Sequence, residues 1–471
     1  MPSRSLKTAP AKPERGLVQG LGLFGATSVA AGTMIGTAIF VVPSMMLAEV
    51  GSPRRVLAVW AVAGVLSLFG ALGYAELGAA MPQAGGEYVY LHRAFGPGAG
   101  FLYGWTQFIV AKTASIAAIA TGFLLYLAYF FPGLTGPFWG LRITSSLAFH
   151  LTGLQAGSAG MIVFLSVVNV FGVRRSGALQ TAFTAAKLAV LGVLIVAGLA
   201  LGHGSWSNVT SALGRLGGAN TATAAIGLAM ISALWGYDGW NNLSMVAGEV
   251  ENPQRNVPAA LIGGTLLTIA VYLLVNVAYF YVLTPAEALA TRTIAANAAR
   301  HFMGGAGGSF VAIGVLISTF ATLNGSILSG SRIPYAQARD GLFPAALGRV
   351  HPRFRTPAIA ISAQAVIAAI FALSGRYETL YTKALYSEWV FYALVTAGLI
   401  VLRKKEPSLP RPYRTWGYPA VPAIFVLLGL LLLVDTFFTS RSDVLWCLGL
   451  IGSGIPAYYL WTRWKRLRPN R

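Results

Sequence analysis

The sequence predicts an all-α membrane protein with twelve transmembrane helices. Three observations carry that prediction. Of 471 residues, 56% are hydrophobic and 10% are charged, whereas a soluble domain carries about a quarter charged residues. Apolar stretches recur along the whole chain, long enough to cross about 30 Å of hydrocarbon at ~1.5 Å per residue. The basic residues fall unevenly between the connecting segments. The length would suggest about three soluble domains, but here the bilayer replaces a soluble core as organiser.

Taken in order, the apolar spans run over residues 17–47, 55–81, 98–131, 157–172, 178–201, 223–248, 257–283, 306–331, 357–374, 379–402, 419–438 and 442–462. Residues 1–15 are polar and basic, and the apolar run from Gly16 to Ala48 is about twice the length of a cleaved signal-peptide core, so it reads as a retained first helix. The fourth and ninth spans are the shortest. Both termini then share one side, with that side taken as cytoplasmic. It carries 23 of the 34 lysines and arginines; the opposite side carries 8, and Lys112, Lys187 and Lys383 lie inside spans. That bias follows the positive-inside rule and accounts for most of the net charge of +20. Nucleic-acid binding would need a basic cluster on a soluble module, and the sequence has none.

Two spans are interrupted by glycines near their middles. The first reads Gly32-Thr33-Met34-Ile35-Gly36-Thr37-Ala38-Ile39-Phe40, the sixth Trp235-Gly236-Tyr237-Asp238-Gly239-Trp240-Asn241-Asn242. Gly36 and Gly236 are 200 positions apart with five spans per interval, and an odd number of spans inverts the second unit relative to the first. Glycine is a poor helix former, and unwinding a turn frees N–H and C=O groups that must face water or a ligand. Freed N–H groups at a half-helix N-terminus favour an anion, and freed carbonyls a cation. One site offering both suits the carboxylate and ammonium of an amino acid. Glycines also serve close helix packing, and Gly32 and Gly36 have that spacing; a second interrupted span at the mirrored place favours the break.

Four stretches resemble the amino acid–polyamine–organocation (APC) superfamily permeases, and within them the bacterial form of the L-type amino acid transporter group. They are Gly32 to Pro43; Trp235 to Asn242 followed by Gly248-Glu249-Val250-Glu251-Asn252-Pro253 and Asn256-Val257-Pro258; Tyr335 to Pro344 with His351-Pro352 and Arg355-Thr356-Pro357; and Arg411-Pro412-Tyr413-Arg414-Thr415-Trp416-Gly417-Tyr418-Pro419. Together they span almost the whole chain. The departure is Ala38, where the family usually has glycine. The resemblance implies a five-plus-five inverted repeat (LeuT-like) with two extra C-terminal helices, with helices one and six unwound mid-membrane. It implies alternating access and amino acid transport, often as exchange. The chain then divides into a cytoplasmic tail (1–15), a first five-helix repeat (16–205), a second, inverted repeat (220–402), a cytoplasmic loop (403–418), two C-terminal helices (419–462) and a cytoplasmic tail (463–471).

By the same resemblance, the N–H groups of Gly36, Thr37 and Ala38 hold the substrate carboxylate, aided by the Thr37 hydroxyl. The carbonyls of Met34, Trp235 and Asp238 take the ammonium. Ile35, Gly236 and Gly239 complete the two breaks. Tyr237 and Trp240 supply aromatic walls or gates, against the ordinary packing of membrane aromatics. Lys187 lies nine residues from the cytoplasmic end of its span, deep for snorkelling. It resembles the helix-five lysine that stands where sodium-coupled relatives bind a cation, which implies no sodium requirement; a satisfied structural lysine is the plainer reading.

An acid in mid-span is costly unless it faces water or a partner. Asp238 either polarises the ammonium site and titrates, or caps the second half-helix. Lys112 either faces the substrate side chain and favours anionic or polar substrates, or satisfies a nearby carbonyl. Glu388 is a weaker selectivity candidate. Glu76 is expected near the inner interface beside Arg93 or Arg339, and Lys383 is expected to snorkel. His92, His150, His203, His301 and His351 are all expected in loops, without metal-ligand spacing. No cofactor is expected. Cys447, the single cysteine, lies in the last span, so no disulfide-linked subunit is expected, although some eukaryotic relatives have one.

Three functions follow. The first is sodium-independent exchange of amino acids, small neutral ones by default, in the plasma (inner) membrane. The second is proton-coupled amino acid symport in the same fold. The third is a membrane enzyme or channel. No P-loop, HExxH or GxSxG motif supports an enzyme, and Asp238 with Glu388 is the only loose pair of acids.

Overall fold

The computed structural model describes residues 17–142, 148–213, 221–291, 293–374, 377–439 and 441–467. The expected tail at 1–15, Arg215, Arg292, Arg376, the side chain of Lys383 and the last four residues lie outside them. The first span is two helices, α1 (Leu23–Met34) and α2 (Ala38–Val50), with three non-helical residues between. It begins later than residue 17, because Gly20 and Leu21 are extended and donate to Glu249 O. Then come α3 (Pro53–Ala80), the short α4 (Glu87–Phe95), and α5 (Pro97–Thr106) and α6 (Lys112–Leu127), which are joined by a π-turn over Gln107–Ala111. Proline opens α3 and α5 at a position whose N–H has no helical partner in any case.

The chain is otherwise helical, with one short pair of strands that the sequence did not predict. β1 (Pro137–Arg142) and β2 (Ala148–Thr152) pair antiparallel, Leu141 opposite Phe149. The ladder satisfies backbone groups in the third connection that no helix serves. Thr152 and Gln155 form a reciprocal capping box that starts α7 (Gly153–Val170) four residues before the expected 157. α8 (Val173–Leu201) and α9 (Trp206–Thr210) precede the sixth span. That span is α10 (Ala222–Tyr237), a turn over 238–241, and the single-turn α11 (Asn242–Met245).

The second half continues with α12 (Pro253–Val282), α13 (Pro285–Leu289), α14 (Ile294–Met303), α15 (Ala306–Gly330), α16 (Arg332–Arg339), α17 (Ala358–Ser374), α18 (Tyr377–Lys405), α19 (Ala420–Thr439) and α20 (Arg441–Leu467). The histidines are not all in loops: His92 is in α4, His150 in β2 and His301 in α14. Among the described residues nine helical segments are long and apolar enough to cross a membrane. The chain is a multi-pass membrane protein. Val196, Val366, Leu431 and Phe438 are exposed on its outside, as lipid-facing helix surfaces require.

One core runs along α1, α2, α3, α10 and α12; a second lies between α6, α7, α15 and α17. α12 packs on both α1 and α3, α10 on α2, and α15 on both α6 and α8. The breaks in the first and sixth spans are thereby held beside α6, α12 and α15.

Candidate functional site

The two breaks touch. Thr33 Oγ1 donates to Gly239 O at 2.7 Å. Gly239 has φ +112°, and a Cβ there would stand 3.0 Å from the Thr33 backbone, so only glycine permits both the turn and the approach. The Tyr272 hydroxyl of α12 lies 2.9 Å from Met34 O and 2.9 Å from Gly236 O. With one proton it donates to one carbonyl at a time, and it ties the end of α1 to the end of α10.

Between the breaks is a cavity of about 30 Å³, room for about two waters. Of the sequence-predicted residues, Met34, Gly36, Thr37, Ala38, Lys112, Trp235, Asp238 and Gly239 line it. α2 starts there with Thr37 as N-cap and no side-chain cap, and the first amides of a helix have no partner within it. Ile35 and Gly236 sit behind the wall, their carbonyls taken by Lys187 and Tyr272. Tyr237 and Trp240 do not line it. Tyr237 packs against Trp60 and Tyr272, and Trp240 stands edge-on to Tyr74 at 4.6 Å. Helical geometry turns Tyr237 to the side opposite Trp235, two residues earlier.

Asp238 does not cap α11, whose N-cap Asn241 offers no side-chain cap either. Its Oδ1 accepts from the Tyr392 hydroxyl of α18 at 2.7 Å, and that partner competes for the carboxylate. Lys187 is fully buried and does not snorkel. Its Nζ donates to Gly32 O (2.7 Å), Ile35 O (2.6 Å) and Ser318 O (2.9 Å), with Thr322 Oγ1 at 3.3 Å. These oxygens come from the C-terminal end of α1 and from α15, and they form a cation cage filled by the ammonium. Lys112 Nζ donates to Asn242 Oδ1 at 2.9 Å and stands 3.7 Å from Glu388 Oε1. Glu388 itself lies behind Lys112, outside the lining. No cluster of metal-binding type occurs among the described residues.

Glu76 pairs with neither Arg93 nor Arg339. It accepts from Arg403 Nε and Nη2 at 2.8 and 2.6 Å and from the Thr415 amide at 2.7 Å, because the end of α18 and the loop after it lie against the C-terminal end of α3. Arg93 instead holds Glu406.

A family model described as amino acid permease matches residues 21–452. The chain belongs to the amino acid permease family. It is a transporter of amino acids and not an enzyme. Over 98% of its length it is 33% identical to the mouse b(0,+)-type amino acid transporter 1, covering 91% of that protein. It is 32% identical over 95% of its length to the serine/threonine exchanger SteT of Bacillus subtilis (strain 168), covering 97% of it. It is likewise 32% identical over 99% of its length to the human cystine/glutamate transporter, covering 90% of it.

The permease's central cavity is also lined by residues that sequence reasoning did not single out. Ser115 and Ile119 join Lys112 on one face of α6, and Thr322 and Ser326 line the cavity from α15. Their i, i+3, i+4 and i+7 spacings were a usable signal once Lys112 was taken as cavity-facing. The adjacent pair Asn241-Asn242 was another: Asn241 Nδ2 donates to Glu87 Oε1 at 2.8 Å, while Asn242 Oδ1 accepts from Lys112 and from Ser329 Oγ at 2.7 Å. Tyr272 carried no local signal.

Proposed function

We propose that this permease exchanges small neutral amino acids by alternating access without sodium. The substrate carboxylate docks on the amides of Gly36, Thr37 and Ala38 at the start of α2, and its ammonium on carbonyls of Met34, Trp235 and Asp238. The observation that carries the reading is the Lys187 ammonium inside the oxygen cage against the α1 break. A fixed positive charge there does electrostatically what a bound sodium ion would do. The cavity is too small for an amino acid as it stands, so loading requires the helices around it to separate, as alternating access demands.

On this reading twelve spans cross the inner membrane, with both termini cytoplasmic. The breaks sit at the bilayer midplane, and residues 16–205 and 220–402 are inverted repeats followed by two helices over 419–462. A cavity of about 720 Å³ lined in part by Gln83, His92, Tyr335 and Asp340 is then the cytoplasmic vestibule. Cys447 is buried, which supports action without a disulfide-linked subunit.

The test is uptake of radiolabelled serine into proteoliposomes. Internal serine should accelerate uptake several-fold with choline replacing sodium on both sides; uptake that depends on sodium would refute the reading. Lys187→Ala should reach the membrane yet transport little or nothing, and wild-type rates in that variant would remove its assigned role. A second reading is proton symport. It draws on the carboxyls of half-buried Asp238 and buried Glu388 beside a single lysine, and it would be favoured if uptake without internal substrate required an imposed pH gradient.

A further inference from the structure

The π-turn between α5 and α6 does something a regular helix would not. Its widened turn is closed by the Lys112 amide donating to Gln107 O, five residues back. Residues five apart diverge on an α-helix, but this turn brings them to one side. As a result Gln107 and Lys112 both reach the same carboxylate on α18. Gln107 Nε2 donates to Glu388 Oε2 at 2.8 Å, and Lys112 Nζ lies 3.7 Å from Glu388 Oε1. Oε1 is buried and makes no hydrogen bond of its own. Both charged side chains are nearly inaccessible, at 3% and 2%.

Among the described residues, Lys112 is the one cationic side chain lining the central cavity, and Asp238 the one anionic. A substrate with a second carboxylate would find its natural partner in that ammonium. Glu388, held in place by Gln107 and hidden behind the wall, offers the ammonium a carboxylate already. In so dry a place a charge at this distance is felt strongly.

Resting on the transport reading above, we propose that Glu388 is a specificity-determining residue: it screens the Lys112 charge from the cavity and so excludes acidic amino acids in favour of neutral ones. It never touches the substrate and acts through Lys112. With Glu388 neutral, Lys112 balances Asp238 and its ammonium is free to turn onto a bound side-chain carboxylate.

The experiment compares aspartate, glutamate and serine uptake in proteoliposomes of the full-length protein. Glu388→Gln should raise the acidic-to-serine uptake ratio about tenfold or more, the scale of a hydrogen bond to a charged group. Adding Lys112→Gln removes the cation that the proposal sets free and should return the ratio to the wild-type value or below it. A ratio in Glu388→Gln within twofold of wild type, or an equal rise in the double variant, overturns the proposal. Where Glu388→Gln is purified but inactive, the readout is thermal stabilisation by glutamate in detergent, expected in that variant and absent in wild type; its absence from both overturns the proposal. Where it cannot be purified, Glu388→Asp retains the charge but sets it back by one methylene. It should shift the ratio in the same direction by a smaller factor, and an unchanged ratio overturns the proposal. Wild-type protein that takes up none of the three amino acids would sink the transport reading itself, whereas serine uptake with no shift sinks only this inference.

Discussion

At the scale of the residue, the site works by giving ordinary groups unusual neighbours. The stem of Lys112 passes Gly330 of α15, where a Cβ would stand 2.5 Å from Lys112 Cγ. Gly330→Ala therefore displaces the stem and breaks the 2.9 Å bond to Asn242. Losing a hydrogen bond to a charged group is worth about 1.5–3 kcal/mol, so uptake at subsaturating serine should fall about tenfold while the protein still folds. Near-wild-type uptake would mean that Lys112 does not need this path. Tyr272→Phe keeps the ring packing against Trp60 and Tyr237 but leaves Met34 O and Gly236 O without their shared donor. It should weaken substrate binding more than it lowers the unfolding midpoint; the reverse order would make the hydroxyl purely structural.

At the scale of the element, helix starts and turns set the geometry. Thr284 and Glu287 form a reciprocal box at the start of α13. Its loss in Thr284→Ala should cost about 1 kcal/mol, read as a small drop in thermal midpoint in detergent with transport intact. α4 is tied to the end of α18 by Arg93 and Glu406, and the guanidinium holds the Glu406 carboxyl below its ordinary value. A carboxyl lowered in the folded state adds stability above its ordinary value of about 4.3 and loses it as pH falls through the lowered one. Glu406→Gln should therefore be slightly less resistant than wild type to proteolysis of this connection at neutral pH. The difference should vanish in strong acid; a difference that grows on acidification would contradict the sign. The π-turn is the least foreseeable element, because nothing in Gln107-Phe108-Ile109-Val110-Ala111 departs from an ordinary apolar helix.

For the whole molecule, the decisive tie is the clamp around Glu76. Arg403, in the last turn of α18, and Arg411, from the loop that leads into the last two helices, reach its carboxylate at 2.6 and 3.3 Å, and the acid is fully buried. Removing one partner of such a pair costs about 3–5 kcal/mol. Glu76→Gln should lower the unfolding midpoint sharply and loosen α19 from α3; an unchanged midpoint would show that the pair contributes no net stability.

What the sequence determined alone was the membrane class, most span positions, the two glycine breaks and the buried lysine, because hydropathy, charge bias and glycine act locally and leave marks in linear order. The pairing of strands Pro137–Arg142 and Ala148–Thr152 escaped because it lies in a connection, where pattern is weak. Only the tertiary structure decided which side of each span faces the cavity, that Tyr237 and Trp240 turn away from it, and that Glu76 meets Arg403 and Glu388 meets Lys112. Those partners are separated by hundreds of residues, and their pairing depends on helix rotation and close packing, which an apolar span of nearly uniform composition does not encode in any window along the chain.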